Sequence, residues 1–137
     1  FHRTLYRVHQ RVAKSFLEGR VMLIGDSAHL NNPLGGFGMN SGVHDAFNLF
    51  EKLMPALQTG KPNGSLALFD RQRRQVTHAF TQAQTIENME FIRSGNAEGH
   101  EKRRQAMLAI KQDDERRRAY LMKQAMFESL EQARAIN

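Results

Sequence analysis

Between residues 25 and 45 the chain gathers most of the side chains that could do chemistry. They are Gly25, Asp26, Ser27 and His29, then Pro33, Gly36, Gly38, Met39 and Asn40, then His44 and Asp45. Asp26 follows the apolar run 21–24, and ligands of open α/β sheets gather at such strand ends. A carboxylate there can accept hydrogen bonds from sugar or polyol hydroxyls. Residues 31–42 hold four glycines and a proline, which predicts a loop whose bare backbone a flat ligand can approach. A helix beginning near 38–41 turns its unpaired N–H groups and its positive dipole end back toward that loop, which favours an electron-rich or anionic ligand edge.

Other chemistries fit less well. Gly-Asp-Ser invites a serine hydrolase with Ser27 as nucleophile, but Ala28 follows it, and the only Asp-x-x-His is Asp26 to His29, inside the same motif. His29 reads as a structural histidine and Asp45 as a first-turn acid that suits the helix dipole. The spacing of His29, His44, Asp45 and Asp70 matches no metal pattern, so no metal is expected. The seven methionines read mostly as core filler.

The elements that must position these residues follow from periodicity. Residues 4–13 alternate, with Tyr6, Val8 and Val12 on one side, which predicts a half-buried strand. Glu18 and Gly19 make a turn, and 21–24 reads as a strand buried on both faces. Val43, Ala46, Phe47, Phe50, Leu53, Met54 and Leu57 form one helical stripe. Residues 60–64 break it. Ser65 opens a second helix running to about residue 93, with Phe69, Val76, Phe80, Ala83 and Ile86 on its core face. After a break at 94–99, helices are expected over 100–112 and 113–134. Two strands do not make a stable sheet, so residues 1–25 read as part of a sheet completed by other chain.

Composition sets the outer limits. The 137 residues suffice for one small core. With no cysteine, disulfides, thiolate metal sites and cysteine nucleophiles are excluded; a reducing cytoplasm is compatible. No apolar run reaches the length of a membrane span. The net charge of +6 is split. Residues 1–40 hold five basic and two acidic side chains, 41–100 six of each, and 101–137 nine and six. Mixed in this way, the basic clusters read as solvated helix faces rather than a nucleic-acid surface.

The segment GRVMLIGDSAHLNNPLGGFGMNSGVHDAFNL resembles the second flavin-binding motif of the single-component FAD-dependent aromatic hydroxylases, the relatives of para-hydroxybenzoate and phenol hydroxylases. That pattern runs Gly-Asp-(Ala/Ser)-Ala-His, a proline, Gly-x-Gly-(Met/Leu)-Asn, then Asp-Ala and an apolar helix. It is matched here at Gly25, Asp26, Ser27, Ala28, His29, Pro33, Gly36, Gly38, Met39, Asn40, Asp45, Ala46, Asn48 and Leu49. Residues 6–13 resemble the strand that returns to the flavin domain. The specific likeness covers about 45 residues. The family often has two prolines where Asn32 and Pro33 stand.

The resemblance implies a fold class: mostly α with two or three strands, the C-terminal fragment of an α/β, Rossmann-like FAD-binding fold. Residues 1–60 would close the FAD-binding domain and 61–137 would form a helical region. It implies FAD as cofactor, with NADH or NADPH as donor and dioxygen as oxidant of a small aromatic substrate. Asp26 would bond the ribityl chain, Pro33 would lie beside the isoalloxazine ring, and the N–H groups of Met39 and Asn40 would meet its N1/C2 edge. The family's pyrophosphate-binding Gly-x-Gly-x-x-Gly unit and its middle Asp-Gly motif do not occur in residues 1–137, so an N-terminal FAD and substrate segment is the expected partner. A non-hydroxylating flavoenzyme and a helical interaction module over 43–134 are the alternatives.

Overall fold

The computed structural model describes residues 3, 5, 7–60, 64–93 and 97–137. The described chain is mostly helical, as expected, with short strands confined to its first 30 residues. Strand β1, Arg11–Val12, pairs antiparallel with β4, His29–Leu30. Between them β2, Leu17–Glu18, and β3, Val21–Met22, form a hairpin around Gly19, whose φ of 56° suits a residue without a Cβ.

These strands are shorter than the alternation predicts. Of residues 4–13 only β1 is strand; Thr4 and Tyr6 lie outside the described residues, and Val8 is half exposed. Of 21–24 only two residues pair, and Val21 and Ile24 are exposed rather than buried on both faces. Each ladder has two strands. No third strand among the described residues covers them.

Helix α1, Phe37–Thr59, runs between Gly36 and Gly60, both at positive φ. It starts inside the stretch expected to be loop. The irregular backbone ends at Gly35 and Gly36, with φ of 110° and 70°, while Gly38 and Gly42 sit in the helix. Next come α2, Ser65–Val76, a π-helical turn, Thr77–Gln82, and α3, Ala83–Arg93, which continue one another. Of the expected core face, Phe69, Val76 and Phe80 are buried, but Ala83 and Ile86 are exposed and Gln84 and Thr85 are buried in their place. The π turn takes an extra residue per turn, so every later position on the inner face shifts by one.

Helix α4, Ala97–Gln112, begins inside the second expected break; residues 61–63 and 94–96, which fall in the two breaks, lie outside the described residues. The helix expected over 113–134 is two helices. They are α5, Asp114–Gln124, capped by the Asp113 carboxylate, and α6, Phe127–Ala135. The break is Met126, at φ 63° and 1% exposed. Its side chain joins Phe37, Val76, Phe80 and Ala133 in one apolar cluster, and this burial turns α6 back onto α2. Phe16, Ala28 and Phe69 form a second cluster. Met126 fills core as expected of a methionine, whereas Met39 and Met107 are exposed.

Most of the apolar stripe of α1 faces outward, with Leu53 and Met54 half-buried. Val43, Phe47, Phe50 and Leu57 are 47–67% exposed. The buried face is Phe37, Ser41 and Asp45. Hydropathy gave the helix; its covered side is set by Phe37 and Leu49, which reach the two apolar clusters, and by the buried partners of Asp45.

Candidate functional site

The chain leaves β3 and tightens into a 3-10 turn, Gly25–Ser27. Gly25 takes φ 57° and lies against Gly42 in the second turn of α1; a Cβ on Gly42 would sit 3.2 Å from the Gly25 Cα. These glycines bring two backbones together and fix the Asp26 turn beside the start of α1. Asp26 is exposed there. The Ser27 hydroxyl donates to the Ile24 carbonyl at 2.7 Å and so closes the turn.

Beneath the turn lies a buried charged centre. The Asp45 carboxylate accepts from the Gly25 N–H at 2.9 Å, from His29 Nε2 at 2.7 Å and from Arg73 Nε at 2.6 Å. Asp45, His29 and Arg73 are each no more than 1% exposed. Burial pushes the Asp45 carboxyl up. The hydrogen bond from His29, the charge and hydrogen bond of Arg73, and the Gly25 N–H outweigh it and hold the group below the usual carboxylate range. Asp45 is therefore no first-turn acid: α1 starts eight residues before it, and its role is to join the turn, β4, α1 and α2.

The orientation of His29 follows from its neighbours. The Leu30 carbonyl can only accept, so Gln82 turns its Nε2 toward it, at 3.2 Å. The same Nε2 donates to Asn31 Oδ1 at 2.7 Å, which turns Asn31 Nδ2 toward His29 Nδ1, at 3.0 Å. His29 Nδ1 then accepts, and the ring proton sits on Nε2, facing Asp45. Committed at both nitrogens, His29 is not positioned as a base for Ser27.

The loop beyond β4 is pinned in the same manner. Asn32 Nδ2 donates to Gln10 Oε1 and the Thr85 carbonyl, and its Oδ1 accepts from the Leu34 N–H. Gln10 in turn donates to Thr85 Oγ1 and the Gln82 carbonyl. Asn32, standing where the family pattern often has proline, thus ties the loop to the first turn of α3, and through Gln10 to the end of the π turn. Pro33 is exposed at the head of a turn closed by the Gly36 N–H on the Pro33 carbonyl, at 3.2 Å. Gly35 is crowded: a Cβ there would lie 2.5 Å from the Phe37 ring and 2.7 Å from Asn88.

Gly36 and Gly38 are different. Nothing lies within 4 Å of a Cβ built on either, and at Gly38 the backbone is helical, so nothing inside the described chain requires glycine there. Gly38, Met39 and Asn40 form the first turn of α1, where N–H groups have no intrahelical partner. No side chain caps this end. Met39 is 78% exposed and Asn40 is exposed.

The structure thus brings Gly25, Asp26 and the first turn of α1 to one end of the helix. It directs His29, Asp45 and Arg73 beneath them. Asp70 lies elsewhere, accepting from the Phe16 N–H at 2.7 Å and from Arg74. Among the described residues no group of three His, Cys, Asp or Glu is gathered as a metal site. Sequence reasoning missed Arg73, Asn31 and Gln82. A signal for Arg73 exists: it falls on the helical stripe Phe69, Val76, Phe80, where an arginine needs a buried acid.

A family model described as "FAD binding domain" matches residues 1–84. Para-nitrophenol 4-monooxygenase of a Pseudomonas species is 39% identical over 95 residues, covering 69% of this chain and 24% of that protein. The 6-hydroxy-3-succinoylpyridine 3-monooxygenase of Pseudomonas putida is 44% identical over 70 residues, covering 51% of this chain and 18% of that protein. Among solved structures, p-nitrophenol 4-monooxygenase of Pseudomonas putida superposes with a TM-score of 0.77 at 32% identity, over 88% of this chain and 32% of that one. The chain thus spans about a quarter of the length of the first of these relatives. With that motif, that fold and those likenesses, the chain belongs to the FAD-binding-domain family of flavoprotein aromatic hydroxylases.

Proposed function

We propose that residues 1–137 supply the flavin-ring side of an FAD-dependent monooxygenase that hydroxylates a small aromatic molecule, with NADH or NADPH as donor and dioxygen as oxidant. The relatives named above act on p-nitrophenol and on a hydroxylated pyridine by their names, which supports an electron-rich ring as substrate. Residues 1–60 carry the flavin-facing elements and 61–137 the helices that brace them. The reaction accords with a cytoplasmic setting, where the soluble nicotinamide donors are found. Among the described residues no helix is long and apolar enough to cross a membrane.

The single observation that carries this reading is the uncapped first turn of α1, with a glycine at 38 that no intramolecular contact demands. Bound FAD would supply the redox chemistry and oxygen activation. The protein's part is placement and field. Asp26 accepts hydrogen bonds from the ribityl hydroxyls. Pro33 borders the ring. Gly36 and Gly38 leave room for its edge, and the Met39 and Asn40 N–H groups face the N1/C2 side, where the helix end favours negative charge. The pyrophosphate-binding Gly-x-Gly-x-x-Gly unit does not occur in residues 1–137, so the nucleotide half of FAD would be held by the rest of the protein, where the substrate pocket would largely lie as well.

The test is Gly38→Val in the full-length protein. The side chain meets open space within this chain, so thermal stability of the FAD-free protein should change by no more than about 0.5 kcal/mol. A side chain that keeps the ring edge from the Met39 and Asn40 N–H groups should weaken FAD binding by about 1–3 kcal/mol. Unchanged FAD affinity and unchanged reduction potential would mean that this helix end does not face the flavin.

A further inference from the structure

A cleft of about 410 Å³ opens between α1, α2 and α6. None of its lining residues belongs to the segment 25–41, so it is separate from the flavin-side surface. Three basic side chains line it, Lys52, Arg73 and Arg134, against one acid, Glu51. Glu51 pairs loosely with Lys52, at 3.8 Å with its own side chain 71% exposed, which leaves two of the three cations without an acid from the cleft lining.

Arg73 is the unusual member. It is 1% exposed, and Asp45 takes only its Nε hydrogen. Its Nη2 is buried and finds no acceptor among the described residues. A guanidinium presents a fork of donors matched to two oxygens, and a buried donor left unpaired costs free energy. Burial lowers the Lys52 pKa; the Glu51 charge opposes this and Arg73 adds to it. Burial lowers His44 as well, with Arg73 contributing and Asp45 opposing.

We propose that this cleft binds a compact oxyanion, a carboxylate or a phosphate group, between Arg73, Lys52 and Arg134. The geometry links the site to the flavin side. Asp45 holds Arg73 with one oxygen and the Gly25 N–H with the other. An anion drawing on the guanidinium therefore loads the carboxylate that fixes the Asp26 turn. The cleft has room for such an anion together with the small molecule that carries it.

The experiment is calorimetric titration of the full-length protein with sodium phosphate and, separately, sodium acetate, with sodium chloride holding ionic strength constant. Saturable binding of at least one anion is expected, and which one responds distinguishes phosphate from carboxylate. Arg134→Gln and Lys52→Gln should each weaken it by about tenfold, the loss of one charge-assisted contact. Arg134 is exposed, so its variant tests the site without threatening the fold, and FAD affinity without added anion should stay at the wild-type value. Absence of saturable heat with either anion would overturn the proposal. So would equal binding by wild type and both variants.

Discussion

Helix α1 has two faces, and each is the reverse of what its residues suggest. The buried face carries Ser41 and Asp45, and Asp45 stays charged among His29, Arg73 and the Gly25 N–H. The outer face carries Val43, Phe47, Phe50 and Leu57, about half to two-thirds exposed. Asp45 is covered because its partners satisfy it in fixed directions. The apolar face needs only area, and among the described residues nothing supplies it. Exposed apolar patches of this kind mark contact surfaces. A buried ion cluster specifies one register between turn, strand and helices; a greasy stripe specifies none.

Asp45→Ala should strike hardest at this contrast. It leaves Arg73 buried and unpaired, and removing one partner of a buried ion pair costs about 3–5 kcal/mol. Urea unfolding of the 137-residue chain is the measurement; a loss under about 1 kcal/mol would mean that the cluster does not set the fold. A broader effect appears in acid. The Asp45 and Asp70 carboxyls are both held below their usual value, Asp70 by the Arg74 hydrogen bond and charge and the Phe16 N–H, which outweigh its burial. Groups with folded pKa values below the unfolded 3.8 contribute stability that is full above that value and lost as pH falls through the folded ones. Urea midpoints from pH 6 to 3 should therefore fall, with a smaller fall in Asp45→Asn than in wild type. An equal fall would shift the acid sensitivity to other groups. The smallest effect belongs to the outer face: Phe47→Ser should change the stability of the 137-residue chain by no more than about 0.5 kcal/mol. A larger loss in the same urea assay would show that this face is covered after all.

Much of the molecule was legible from its sequence because local signals agree with one another. The apolar period over 43–57 gave a helix, the glycines at 60 and 64 ended and restarted it, and the Gly-Asp and Gly-x-Gly-Met-Asn elements located the Asp26 turn and the first turn of α1. The helical character after residue 65 was equally plain. These are properties of neighbouring residues, and backbone preference plus spacing suffices to read them.

Tertiary structure decided the rest. The π turn at 77–82 shifted the inner face from Ala83 and Ile86 to Gln84 and Thr85, and no local rule marks where a helix admits one extra residue. Met126 broke the last helix because its side chain gained more in the cluster with Phe37 and Phe80 than its backbone lost at positive φ. Asp45 changed from a helix-start acid into the centre of the structure because Arg73 lies 28 positions away in sequence and 2.6 Å away in space. Sequence patterns report what a segment prefers; which side it covers, and which charge meets which, is fixed only when distant segments compete for the same buried space.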